Sequence, residues 1–166
     1  MSVRGMFRPG MRTYLVPLVA GVLLTISAFL PWVIMGEYSR RGIPDIWALW
    51  VAGLGVLAAV LASLSMITRK NSRHPLLVIG LFALGIMFLA WRIMPRSVEE
   101  GARTWAQAVA IVDGVAASSA AETHAFAGSG IYIGLGASVA LVLFGLTIVV
   151  KRAVHPYVIE SADDDI

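Results

Sequence analysis

Four long apolar runs constrain this chain more than anything else in it: about 14–35, 46–67, 75–92 and 128–150. None carries an acidic or basic side chain in its interior. An α-helix needs roughly 20 mostly apolar residues to cross about 30 Å of hydrocarbon. The runs therefore predict an all-α fold: an integral membrane four-helix bundle. The composition agrees, because 58% hydrophobic residues and a mean hydropathy of +0.82 exceed the roughly 45–50% apolar content of soluble domains. Little sequence remains outside the runs for a second folded domain. The apolar part of the first run is too long for the h-region of a secretory signal, so it is expected to stay uncleaved.

Orientation follows from the cations beside the span ends. Arg4, Arg8, Arg12, Arg69, Lys70, Arg73, Lys151 and Arg152 fall on one side; Arg40, Arg41, Arg92, Arg96 and Arg103 fall on the other. The first side should be cytoplasmic, with both termini on it: a basic N-tail (1–13), the spanning domain (14–152) and an acidic C-tail (153–166). The expected location is a bacterial inner membrane. A formal net charge of +3, this dispersed, speaks for topology and against nucleic acid.

The loops carry the remaining patterns. Pro31 should loosen the last turn of the first span. Trp32 then meets Trp47 and Trp50 across a short outer loop. The three read either as an aromatic belt at the membrane surface or as a patch docking a partner or lipophilic cofactor. The short basic inner loop offers Arg69, Lys70 and Arg73 to phospholipid headgroups. Pro95 should end the third span. Ser97-Val98-Glu99-Glu100 has the capping-box spacing that marks a helix start. Val98, Ala102, Trp105, Val109 and Val112 then recur at steps of four and three, one helical face. These features predict a separate amphipathic interfacial helix over about 97–113, capping the bundle or touching another subunit through Trp105 and Val109. Residues 116–127 read as a flexible return. In the fourth span Gly130, Gly134 and Ser138 have small-x-x-x-small spacing, which lets helices approach closely within the chain or between subunits. Tyr157 lies in a tail that ends in Asp163-Asp164-Asp165 and is expected to dock on a cytoplasmic partner.

The chemistry-bearing side chains are few. Cysteine is absent, so no disulfide, thiol nucleophile or Cys-ligated metal is available. An ion-coupled transporter needs ionisable groups at membrane depth, and the runs contain none. Their serines and threonines are expected to bond back to their own helices or across to a neighbouring helix. His74, His124 and His155 all lie outside the runs, which disfavours an axially ligated haem. Glu122-Thr123-His124 is the one adjacent acid–histidine pair, and no hydrolase, metalloprotease or phosphate-loop motif is present. No catalytic residue, metal site or cofactor is predicted, although peripheral lipid or pigment contacts fit the belt.

The stretch from Gly21 to Gly42, with Phe29-Leu30-Pro31-Trp32-Val33 after the first span and Gly42 before the second, resembles small bacterial four-span membrane proteins of unassigned function. Those proteins pair an "LPW" exit with a short outer loop, a basic inner loop and a longer second outer loop. The resemblance implies a layout and no catalytic residues. The expectation is a non-catalytic accessory subunit of a larger membrane complex, respiratory or photosynthetic, contacting other integral subunits and phospholipids. The alternative is a stand-alone channel or transporter for a neutral or lipophilic solute.

Overall fold

The computed structural model describes residues 12–68, 73–113 and 124–154. Helix α1 (Leu15–Ser27) leads to strand β1 (Pro31–Met35) and strand β2 (Tyr38–Arg41). Helices α2 (Ile46–Thr68) and α3 (Arg73–Asp113) follow, then the short strand β3 (Phe126–Ala127) and helix α4 (Ser129–Val154). Helix α1 packs between α2 and α4, and α4 packs against α3; the α2–α3 contact is slighter. The helices form one bundle, and a three-stranded antiparallel sheet, ordered β2–β1–β3, closes one end of it.

Three helices, α2, α3 and α4, are long and apolar enough to cross a membrane. Only 33%, 39% and 44% of their most apolar windows are buried inside the chain. Most of that apolar surface therefore faces outward, which suits lipid and not water. Helix α1 is equally apolar but has 13 residues, about 20 Å at 1.5 Å per residue. It is shorter than the predicted span 14–35, because 31–35 is a strand. The helix tightens first: the Ala28, Phe29 and Leu30 N–H groups bond to the Thr25, Ile26 and Ser27 carbonyls in i→i−3 fashion. Pro31 then disfavours helical geometry in the residue before it. Two-residue loop Gly36–Glu37 turns the chain into β2, with Gly36 at φ +60°, as the primed hairpin turns require.

The second departure is α3. Its 41 residues run straight through Pro95, about 62 Å of helix at 1.5 Å per residue, twice the hydrocarbon thickness. The separate helix expected at 97–113 is the outer half of this rod. Proline removes one backbone donor and crowds the carbonyl four residues back, but such breaks are tolerated where nearby hydroxyls or water satisfy the freed groups. Ser97 does not cap a new helix. Its Oγ donates to the Met94 carbonyl at 2.9 Å, a bond inside the continuing helix.

The helices meet through small residues. A Cβ added at Gly55 would lie 2.5 Å from Thr25 Oγ1 and 2.7 Å from the Gly21 carbonyl oxygen. One added at Gly21 would lie 2.7 Å from the Ala59 nitrogen. The α1 and α2 backbones are therefore in direct contact there. Buried Ser27, Ser65 and Ser138 each donate to a carbonyl of their own helix, as do Thr25 and Ser63. At the end opposite the sheet, Tyr14 meets Phe144 edge-on at 5.3 Å, and the Arg73 guanidinium lies 5.6 Å from the Phe144 ring centre.

Candidate functional site: the cap and the helical arm

The cap is built around Trp32. A regular strand alternates its side chains between faces, yet Trp32 and Val33 are consecutive and both buried, each 1% exposed. The register between β1 and β2 slips between Pro31 and Val33, and a bulge of this kind re-aims a side chain. The indole Nε1 donates to the Ser27 carbonyl at 2.9 Å, which satisfies its one donor. Glycines make room for the ring. A Cβ at Gly42 would meet Nε1 at 2.6 Å, and a Cβ at Gly130 would meet Cδ1 at 2.8 Å. The Gly128 N–H bonds the Trp32 carbonyl at 2.8 Å, tying the start of α4 to the cap. Trp32 thus belongs to the interior and offers no surface to a belt or a partner.

Trp47 and Trp50 do face outward, 55% and 57% exposed. Asp45 starts their helix: its Oδ1 accepts the Trp47 N–H at 3.1 Å, an N-cap, and Arg40 pairs with it at 3.5 Å. Because α2 and α3 pack lightly, Trp47 borders a cleft of about 150 Å³ shared with Ile86, Ala90 and Met94 of α3. Trp32, Trp47 and Trp50 therefore separate into one buried keystone and two exposed side chains.

Beyond Met94, α3 continues as an arm of nearly 20 residues. Its half-buried stripe is made of Val98, Ala102, Ala106 and Ala110, spaced four apart and mostly small. The larger side chains assigned to one face by the sequence are exposed: Trp105 74%, Val109 and Val112, together with Ile111. Glu99 on the arm holds the return segment, with its Oε1 2.9 Å from His124 Nδ1 and 3.9 Å from Arg103. His124 adjoins Glu122 in sequence, which lies outside the described residues; among the described residues its carboxylate partner is Glu99, 25 residues earlier.

The other expected site residues divide clearly. Gly130 and Gly134 are buried by this chain's own packing, Gly134 against Met87 and Ser27. Arg73 is engaged with Phe144. Arg69, Lys70, Glu122 and Tyr157 lie outside the described residues. Among the described residues, no group of three or more His, Asp or Glu side chains could hold a metal. Comparison with family models, curated proteins and solved structures finds no match to this chain.

Proposed function

We propose that this chain is a non-catalytic accessory subunit of a larger bacterial membrane complex, and that it contacts its neighbours through the arm of α3. In this reading all four helices span or enter the inner membrane. The cap and arm lie outside, and both termini are cytoplasmic, as the eight-to-five distribution of cations favours. The observation that carries the proposal is the exposure of Trp105, Val109 and Val112 along one face of a helix that has already left the apolar part of the bundle. Apolar side chains grouped in this way on an aqueous surface mark interaction sites, and tryptophan leads the residues that dominate binding energy at interfaces. A respiratory or photosynthetic assembly is the host class proposed. Trp47 and Trp50 add contacts at the membrane surface, to lipid, pigment or a neighbouring helix.

Extraction of the tagged full-length chain from native membranes in mild detergent, followed by native-gel separation and mass spectrometry, tests this. The expected result is migration within a larger assembly of defined partners. Migration near its own mass would overturn the proposal and favour the stand-alone channel or transporter.

A further inference from the structure

A second feature stands where α3 leaves the apolar part of the bundle. A cleft of about 300 Å³ opens between α3 and the segment running from β3 into α4, lined by Trp91, Arg92, Arg96, Glu99, Phe126 and Tyr132. Arg92 and Arg96 are four residues apart, so they share one helical face, where like charges repel. Among the described residues neither has an ion-pair partner. The cleft's own carboxylate, Glu99, makes its contacts with His124 and Arg103 instead of with either arginine. Two arginines one helical turn apart on the same cleft suit the oxygens of a phosphate group, which arginine binds through paired N–H donors. The surroundings fix the depth. Exposed apolar Phe88 and Leu89 precede the cleft on α3, and Trp91 and Tyr132 flank it, the aromatic pattern of the headgroup level.

We propose that this cleft holds an anionic phosphate group between Arg92 and Arg96, supplied by the headgroup of an anionic lipid in the adjoining leaflet. The site differs from the basic inner loop, at the opposite end of the bundle. It rests on membrane placement of the helices and not on the accessory-subunit reading.

The test uses the purified full-length chain in a neutral detergent, titrated by native mass spectrometry with three probes. These are dioctanoyl phosphatidylglycerol, dioctanoylglycerol (the same chains without phosphate) and inorganic phosphate. Wild type should take up one phosphatidylglycerol, and Arg92→Gln/Arg96→Gln should bind it about tenfold more weakly or worse, since two charge-assisted contacts are lost. Arg41→Gln, on β2, should leave binding unchanged. If the double variant extracts poorly, Arg96→Lys carries the test: it keeps the charge, loses the paired donors and should bind about threefold more weakly. Equal binding of phosphatidylglycerol by wild type and variants would overturn the site. Binding of inorganic phosphate but not of the lipid would overturn the lipid as its occupant. Neither result bears on whether the chain co-migrates with partners, so the two proposals fail separately.

Discussion

The apolar part of the bundle and the end that carries the cap and arm solve opposite problems. In the first, polar groups are consumed internally: the buried serines bond to their own helices, and glycines bring backbones together until no side chain fits between them. Its outward surface is mostly apolar, which suits lipid. In the second, one tryptophan is buried in the sheet, and Trp47 and Trp50 on α2 and Trp105 on the outer half of α3 are left uncovered. The contrast teaches that stability and contact are assigned to different places. Substitutions in the bundle and cap should cost folding, and substitutions on the arm should cost assembly.

The largest effect is expected at the cap. Trp32→Ala removes a buried ring with its hydrogen bond and should cost about 3–5 kcal/mol, measured as reversible unfolding in detergent. A loss below about 1 kcal/mol would break the claim that this residue is the keystone. Next comes the α1–α2 crossing, where Gly55→Val drives a side chain against Thr25 and the Gly21 backbone. Overpacking of this kind costs about 1–3 kcal/mol, so the variant should unfold at lower denaturant than wild type. Ser138→Ala should be milder, below about 1 kcal/mol, because the hydroxyl serves a carbonyl of its own helix and carries no separate contact. A larger loss would mean that the buried serines couple helices together. Trp105→Ala should change stability by no more than about 0.5 kcal/mol, as at other exposed sites, while the protein's migration on a native gel shifts to a smaller species.

Much of the bundle was legible in the sequence because length and hydropathy speak directly to it. The predicted runs 46–67 and 128–150 match α2 and α4 closely. What failed was punctuation. Residues 31–35 joined the first run because a short apolar stretch cannot be assigned to strand or helix by periodicity alone. The bounding signals were Pro31, the β-branched pair Val33-Ile34 and Gly36. Pro95 was read as a stop because proline usually is one; here the helix formers on either side carry the rod through it. The Ser97 capping box was a coincidence of spacing. Among the site residues, Trp105 was open between capping the bundle and facing outward, and its 74% exposure bears out the second. The 3.6-residue pattern grouped it with Val98 and Ala102, but the half-buried stripe follows the alanines at 102, 106 and 110. The Glu99–His124 contact and the Arg92–Arg96 cleft depend on α3 passing beside the return segment, which no local pattern encodes.

The most direct test of this division is photo-crosslinking in intact native membranes, with a photoreactive residue placed at Trp105 in one variant and at Val78, on the exposed apolar face of α3, in another. The account predicts a discrete protein adduct from position 105 and lipid adducts alone from position 78. Lipid or no adduct from 105, or protein adducts of equal yield from both, would contradict it.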